Sequence, residues 1–237
     1  IMAAHRAEPP LDFTLAQEEQ AEAWAPRLNA EILPTRSLRR RAGGLVGELD
    51  GYAEGAWWVQ DAAAALPARL IGDLAGRSAI DLCAAPGGKT AQLATAGATV
   101  TAVDISAERL RLVTENMERL GLTAETVCAN ATEFTPAAPT DAVLLDAPCS
   151  STGAIRRHPD IAWLKTPDDV AATAALQARL LNAAVSMLVP GGTLVYAVCS
   201  LQPEEGPVQI DTLLAGVADI VRVPVASDEL PGLDGLS

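Results

Sequence analysis

The 237-residue sequence is poor in the side chains that build metal sites and disulfide frameworks. It contains only two histidines, His5 and His158, and its four cysteines form no C-x-x-C pair. So few histidines argue against a histidine-based metal site and a Ser-His-Asp triad, and cysteines this far apart predict neither a zinc site nor a disulfide framework. We therefore expect no metal. The candidate nucleophiles are Cys83, Cys128, Cys149 and Cys199.

Long apolar runs are also absent. Hydrophobic residues make up 49% of the chain and aromatic residues 3%, but no stretch approaches the ~20 apolar residues of a membrane-spanning helix. Residues 1–30 lack the basic-then-apolar layout of a secretory signal. These features predict a soluble, cytoplasmic, monomeric protein without membrane contact, whose core is aliphatic. The length suits one α/β domain with a short appendage.

Positive charge is scarce overall but locally concentrated. The net charge of −13 argues against unaided nucleic-acid binding, which usually needs a basic surface. Two clusters are nevertheless basic, and each is either a solvated surface patch or an RNA contact. The first comprises Arg36, Arg39, Arg40 and Arg41, and the second comprises Arg156, Arg157, His158 and Lys165.

The pattern along the chain predicts two parts: a small N-terminal lobe over residues 1–55 and a catalytic domain over residues 56–237. In the second part, apolar strands alternate with amphipathic helices, which indicates a mainly parallel sheet covered on both faces. The predicted strands are 78–83, 99–103, 125–129, 141–145 and 193–198. The predicted helices are 89–95, 107–120 and 167–188, the last ended by Pro190-Gly191-Gly192.

The glycine-rich segment after the first of these strands suggests a cofactor site. Gly88-Lys89-Thr90 copies the end of a phosphate-binding loop, but Cys83 stands where that motif needs glycine, and the G-x-G-x-x-G pattern is absent. A turn at Gly87 can instead approach a cofactor without phosphates, with Asp104 at the end of the next strand accepting from ribose hydroxyls. The alternative is a tight turn without a ligand.

Four motifs in order resemble the RNA (cytosine-5) methyltransferases, most closely the bacterial Sun/RsmB type that modifies 16S ribosomal RNA. They are residues 81–90, 146–153, 156–160, and 190–192 running on to 196–200, with a weaker similarity at 9–12. The resemblance implies a Rossmann-like class I methyltransferase fold, S-adenosylmethionine as cofactor and small-subunit ribosomal RNA as substrate. It covers about residues 55–210. Because the chain starts without the N-terminal helical domain of that family, we expect a fragment of a longer protein.

The same resemblance implies roles for individual residues. Cys199 is the implied nucleophile, and Cys149 assists release of the product. Asn130 stands where the family usually has aspartate, which removes a charge from that cofactor contact. The implied cofactor contacts are Cys83, Ala84, Ala85, Pro86, Gly87, Gly88, Lys89, Asp104, Asn130 and Asp146.

Carbon 5 of cytosine is a poor nucleophile, and the chemistry that activates it needs a thiol. Addition of a thiolate to carbon 6 moves electron density to carbon 5, which can then accept a methyl group. By spacing alone, either Cys149 or Cys199 could attack. Asp146 is a candidate to contact ring nitrogen 3 and the amino group, while Lys89 could lower the pKa of a thiol or hold Asp146.

Outside the reacting centre, we expect Arg156, Arg157 and His158 to contact RNA phosphates or to order the target loop. Trp163 is either a stacking platform for a base or a core residue. Two other functions remain open at this stage. The acceptor could be a transfer RNA cytosine or another molecule, and the chain could be a non-catalytic RNA-binding or assembly module that retains the cofactor fold.

Overall fold

The computed structural model describes residues 9–41 and 43–226, which form two sheets. Residues 1–8 of the predicted lobe, which include His5, and residues 227–237 of the predicted catalytic domain lie outside the described residues. The first sheet is antiparallel, with strand order β2-β3-β1-β4, and belongs to the lobe. Its strands are β1 (Leu11–Leu15), β2 (Glu31–Ile32), β3 (Leu38–Arg40) and β4 (Trp57–Val59), and helix α1 (Ala21–Arg27) packs beside it. Strand β4 lies after residue 55, so the small sheet includes a strand beyond the predicted boundary.

An aromatic pair and a buried ion pair hold the lobe together. Phe13 and Trp57 are fully buried with ring centroids 4.6 Å apart. The buried Asp12 carboxylate accepts two hydrogen bonds from Arg39, at 2.7 and 2.8 Å, and one from the backbone N–H of Ala62 at 3.0 Å. A buried carboxylate satisfied in this way fixes the start of the chain against the segment that leads into the larger domain.

The second sheet is parallel throughout, with strand order β7-β6-β5-β8-β9. Its strands are β5 (Ser78–Leu82), β6 (Thr99–Asp104), β7 (Glu125–Cys128), β8 (Thr140–Asp146) and β9 (Leu188–Ala197). The remaining helices are α2 (Leu66–Arg69), α3 (Gly88–Thr95), α4 (Ala107–Leu120), α5 (Ile161–Leu164), α6 (Pro167–Ser186) and α7 (Pro207–Gly216). The predicted α/β, Rossmann-like fold of class I methyltransferases is confirmed. Within the described residues, no helix is long and apolar enough to cross a membrane.

One predicted boundary is wrong. The long helix ends at Ser186 rather than at residue 188, and Pro190-Gly191-Gly192 lies inside β9 instead of in a turn before it. The strand tolerates these residues because its pairing with β8 is irregular there: Thr140 pairs with Leu188, but Ala142 pairs with Thr193. The three residues occupy this bulge, where proline and glycine disturb no regular ladder.

Contacts across the lobe boundary join the two sheets. Gly55 packs so tightly against the end of α4 that a Cβ on it would lie 2.3 Å from the Arg119 carbonyl oxygen. The Arg119 guanidinium donates to the backbone oxygens of Tyr52 (2.8 Å) and Trp57 (3.1 Å). The lobe is therefore docked on the part of the chain that forms the parallel sheet.

Candidate active site

The sequence-predicted site residues converge at the carboxyl edge of the parallel sheet. Asp104, Asn130 and Asp146 end or follow three strands of that sheet, and Cys199 follows β9. The Gly-rich loop leaves β5 at the centre of the same edge. This edge is where α/β sheets of this type bind their ligands.

The Gly-rich loop has a backbone that its sequence explains. Gly87 adopts a left-handed conformation with φ +101°, and a Cβ there would lie 3.2 Å from the Cα of Val113. Glycine is therefore required at this position. Helix α4 secures the loop from one side, because Arg109 donates to the Ala85 oxygen (2.6 Å) and Asn116 donates to the Pro86 oxygen (2.9 Å). Burial raises the pKa of the Cys83 thiol to about 12, so this cysteine stays protonated.

Asp104 and Asn130 both have partners within the protein. The buried Asp104 carboxylate accepts hydrogen bonds from the N–H groups of Ala85 (3.2 Å) and Ser106 (3.0 Å). Arg109 lies 3.5 Å from the same carboxylate. The Asn130 side-chain oxygen accepts from the backbone N–H of Thr132 at 3.2 Å and from its hydroxyl at 2.9 Å, so Asn130 also shapes the turn after β7.

Lys89 and Asp146 form an ion pair, with Nζ 2.6 Å from Oδ2. Lys89 lies in the first turn of α3, and Asp146 ends β8. The lysine side chain is largely buried, whereas the Asp146 side chain is 39% exposed and accessible to a bound molecule. Of the two roles predicted for Lys89, the contact with Asp146 is the one observed.

The Cys149 and Cys199 sulfur atoms lie 3.4 Å apart. Ser151 lies between their loops, with its hydroxyl oxygen 3.4 Å from the Cys199 sulfur and 3.8 Å from the Cys149 sulfur. Cys199 is exposed and Cys149 is partly buried. The backbone also joins the loops, because the N–H of Gly153 donates to the Cys199 oxygen at 2.9 Å. A Cβ on Gly153 would lie 2.8 Å from that oxygen, so the close approach needs glycine.

This arrangement makes the two thiols unequal. The contact with Cys149 lowers the pKa of Cys199 below its ordinary value despite partial burial, and the contact with Ser151 lowers it further. The same pairing with Cys199, together with burial, raises the pKa of Cys149. Deprotonation of this pair is therefore favoured at Cys199, with Cys149 protonated.

Two buried carboxyl groups were not predicted as site residues. Glu205 is fully buried and accepts hydrogen bonds from the loop that follows Cys149. Asp81, in the central strand, is also fully buried, and burial raises its pKa to about 7. An acid inside an otherwise apolar strand is a signal that could have indicated Asp81. For Glu205 the local sequence holds no such signal, because its partners are distant in the chain.

A cavity of about 310 Å³ separates the lobe from the Gly-rich loop. One wall is formed by Trp58, Gln60 and Asp61, and the other by residues 84–89 of the loop. Asp81 and Asp146 also line it. The Oδ1 atom of Asp81 is buried and accepts no hydrogen bond within the part of the chain that the structure describes. The cavity therefore combines loop backbone with carboxylate groups.

The two basic clusters differ in their surroundings. In the first, Arg36, Arg39 and Arg41 form ion pairs within the lobe, with Glu22, Asp12 and Glu31 respectively, and Arg40 donates to the Leu28 oxygen. These contacts stabilise the lobe and do not indicate an RNA surface. In the second, Arg157 turns inward and donates to Asp61 at 2.7 Å, whereas Arg156, His158 and Lys165 are exposed. Trp163 is 85% exposed, so its alternative interpretation as a core residue is wrong.

Comparisons with known proteins agree on one family. Residues 74–234 match the family model described as 16S rRNA methyltransferase RsmB/F. The chain is 47% identical over 179 residues to a ribosomal RNA small subunit methyltransferase B from Vibrio cholerae, an alignment that covers 73% of this chain and 41% of that protein. It is 42% identical over 228 residues to the protein of the same name from Erwinia tasmaniensis, covering 93% and 52% respectively.

A solved structure extends the similarity to the fold. NSun6 from Pyrococcus horikoshii, crystallised with SFG, superposes with a TM-score of 0.67 at 28% identity, covering 80% of this chain and 51% of that one. The chain spans about half the length of the curated relatives it matches.

Proposed function

Because the chain belongs to the 16S rRNA methyltransferase RsmB/F family, we propose that it transfers a methyl group from S-adenosylmethionine to carbon 5 of a cytosine in small-subunit ribosomal RNA. The observation that carries the proposal is the pair of cysteines whose sulfur atoms lie 3.4 Å apart beside Asp146 and Lys89. Transfer to an oxygen or an exocyclic nitrogen has no use for a paired thiol. We place this activity in the cytoplasm, where an RNA of this class is found.

The residues present fit the cofactor of this family. Gly87 has no side chain, so the backbone of the left-handed turn is open to a bound molecule there. Asp81 offers a buried carboxylate oxygen that accepts no hydrogen bond from the described residues. Such an oxygen suits the cationic methionine end of the molecule, while Asp104 and Asn130 lie where the ribose and adenine would bind. When bound, S-adenosylmethionine supplies an electrophilic methyl group.

The residues of this chain then activate the base. The Cys199 thiolate adds to carbon 6 of cytosine, which forms an S–C6 bond, breaks the C5=C6 double bond and places its electron pair at carbon 5. Carbon 5 takes the methyl group as the methyl–sulfonium bond breaks, and S-adenosylhomocysteine is the leaving group. A base then accepts the proton from carbon 5, the C5=C6 double bond re-forms, and the S–C6 bond breaks to return the Cys199 thiolate. Cys149, 3.4 Å away, hydrogen-bonds that thiolate as it leaves. Cys149 therefore assists release of the product.

Asp146 orients the base during these steps. Its exposed edge can contact nitrogen 3 and the amino group of cytosine. The amino group donates a hydrogen bond, and uracil has no donor at that position, so this contact selects cytosine. Lys89 balances the Asp146 charge at 2.6 Å and fixes the side-chain direction. Because the two side chains come from α3 and β8, the pair also holds the Gly-rich loop next to the reacting base.

RNA contacts are assigned to the segment after the Cys149 loop. Arg156 and His158 are exposed and can approach phosphates, and Trp163 can stack on an unpaired base. Arg157 serves differently, because its ion pair with Asp61 ties the segment to the lobe. The target cytosine must leave its stack, at a cost of a few kcal/mol, and a stacking platform offsets part of that cost.

The proposal is tested by comparing wild type, Cys199→Ala and Cys149→Ala. Each is incubated with small-subunit ribosomal RNA and labelled S-adenosylmethionine, followed by denaturing gels and mapping of the methylated bases. We expect Cys199→Ala to be inactive and free of RNA, and Cys149→Ala to remain covalently attached to RNA. Methylation of cytosine by Cys199→Ala would refute the mechanism. Labelling of transfer RNA instead of ribosomal RNA would keep the chemistry and replace the substrate.

A further inference from the structure

Glu205 connects the two loops that carry the cysteines. Its carboxylate accepts a hydrogen bond from the backbone N–H of Ser150 at 2.8 Å and another from the Ser150 hydroxyl. The Ser150 hydroxyl in turn lies 3.0 Å from the Ser200 hydroxyl. Ser150 directly follows Cys149, and Ser200 directly follows Cys199. The carboxylate therefore holds the residue after Cys149 directly and is linked to the residue after Cys199 through Ser150.

Helix α6 provides the fixed support for this carboxylate. Thr173 donates to Glu205 at 2.5 Å, and Gln177 donates to it at 3.3 Å. These two residues are four apart and share one face of the helix. Gln177 is itself fully buried and also donates to the Pro148 oxygen at 2.9 Å, just before Cys149. The long helix therefore sets the position of Glu205 and of the Cys149 loop.

The surroundings of Glu205 are unusual for a buried charge. The side chain is 0% exposed, and no cation within the described residues forms an ion pair with it. Burial alone would raise its pKa, but interactions with Ser150, Ser200 and Thr173 outweigh burial, and the pKa is lowered. A buried carboxylate held only by neutral donors is costly unless every donor stays in place, so the network favours one arrangement of the two loops.

We propose that Glu205 is a positioning residue that sets the distance between Cys149 and Cys199. The inference takes the roles of the two thiols from the proposed function. The distance between the two sulfur atoms, which the inference explains, is independent of that function. Carboxylate oxygens accept from several directions at once, so Glu205 can hold the backbone and hydroxyl of Ser150, and the Ser150 hydroxyl reaches Ser200 in the other loop. Without Glu205, the loops keep the hydrogen bond from Gly153 to Cys199 but lose the link between Ser150 and Ser200 that helps to hold the sulfur atoms 3.4 Å apart.

The test measures the cysteine pair directly. Wild type, Glu205→Ala, Glu205→Gln and the double variant Ser150→Ala/Ser200→Ala are alkylated over a range of pH, and the rate at Cys199 is followed by peptide mass spectrometry. We expect the pKa of Cys199 to rise from about 6 by about one pH unit in Glu205→Ala and in the double variant, which means about fivefold less thiolate at pH 6. Glu205→Gln keeps an acceptor and the shape of the side chain, so it should restore much of the wild-type profile.

Thr212→Val is the matched control. It removes a hydroxyl on α7 that donates to the Val208 oxygen at 2.7 Å and lies outside the Glu205 network. We expect it to leave the Cys199 profile unchanged. If Glu205→Ala does not fold, the double variant and Glu205→Gln still decide the question. An unchanged Cys199 profile in the folded double variant would overturn the proposal.

Kinetics separate this inference from the proposed function. On ribosomal RNA at pH 6, the double variant should lose about fivefold in kcat, in proportion to the thiolate lost, with little change in the KM for S-adenosylmethionine. A shifted alkylation profile together with a wild type that labels no RNA would leave the positioning role standing and refute the proposed function. Loss of kcat with an unshifted profile would refute the positioning role alone.

Discussion

Cys149 and Cys199 lie 50 positions apart in sequence, yet their sulfur atoms are 3.4 Å apart in the folded chain. The two residues follow neighbouring parallel strands, β8 and β9, whose carboxyl ends meet at one edge of the sheet. The contact makes the two thiols unequal, because it lowers the pKa of Cys199 and raises that of Cys149. Identical side chains thereby acquire different chemistry, which the spacing of the cysteines in the sequence does not determine.

This relationship predicts a pH dependence. Because hydrogen bonding from Cys149 lowers the pKa of Cys199 below its ordinary value of 9.0, alkylation of Cys199 should reach half its maximal rate below pH 9. In Cys149→Ala the donor is gone, so the half-point should move upward, toward 9. Peptide mass spectrometry after iodoacetamide treatment measures both. A Cys128→Ser background removes another exposed thiol without touching the pair. Identical profiles with and without Cys149 would contradict the prediction.

The sequence was most informative where the signals are local. Helix α4 begins after Ser106, whose side chain accepts from the N–H of Arg109, and it ends at Gly121 with φ +65°. Both signals are visible in the sequence, and the predicted helix over 107–120 is confirmed at both ends. The parallel direction of the strands and the convergence of the motifs at one edge follow from the same alternation of elements, whereas the order of the strands in the sheet was not predicted.

Contacts between distant residues could not be read in this way. Arg157 pairs with Asp61, 96 positions away, and Glu205 accepts from Ser150, 55 positions away. Neither partner carries a pattern that indicates the other. The end of α6 was misplaced for a related reason, because the bulge that accommodates Pro190 depends on how β9 pairs with β8.

A second prediction concerns the ion pair of Lys89 and Asp146. Replacing Lys89 with Met keeps much of the side-chain volume but leaves the Asp146 carboxylate without its partner. We expect kcat to fall about 10- to 100-fold, which corresponds to about 1.4 to 2.7 kcal/mol of lost transition-state stabilisation. Single-turnover methylation of ribosomal RNA measures this. Arg111→Met, which changes an exposed cation on α4, is the control. Equal kcat values for Lys89→Met and wild type would contradict the prediction.

The third prediction concerns Asp81. Its pKa is raised from 3.8 to about 7 in the folded protein, so the folded state holds this proton more tightly than the unfolded state does. The stability that the proton provides is complete below pH 3.8 and is lost as pH rises through 7. Asp81→Asn should therefore be more stable than wild type at pH 8, by up to about 4 kcal/mol, with the difference shrinking toward pH 4.

Urea unfolding at a series of pH values measures this difference. Asp141→Asn is a control of opposite sign, because the Asp141 carboxylate accepts hydrogen bonds from the N–H and hydroxyl of Ser78, which lower its pKa. Asp141→Asn should lose stability at neutral pH. If Asp81→Asn were less stable than wild type at pH 8, the ionised Asp81 carboxylate would not destabilise the folded state and the prediction would be wrong.

The last prediction concerns the exposed segment around Trp163. A tryptophan that is 85% exposed gains nothing from the core, and Arg156 and Lys165 on the same segment are also exposed. Stacking of an unpaired base on an aromatic ring contributes about 1–3 kcal/mol. Trp163→Ala should therefore weaken RNA binding by about tenfold or more without changing the stability of the protein. Arg156→Ala should make the slope of log affinity against log salt concentration shallower by about one, which is the loss of one phosphate contact. The reason is that each neutralised phosphate releases counterions.

Fluorescence anisotropy with a single-stranded RNA that contains the target cytosine, at several salt concentrations, separates the two effects. Trp163→Ala should lower affinity at every salt concentration by a similar factor, whereas the effect of Arg156→Ala should fade as salt rises. Arg111→Ala removes an exposed charge on α4, away from this segment of the chain, and serves as the matched control. If Trp163→Ala and Arg111→Ala bind RNA equally well, the exposed tryptophan has some other role than stacking.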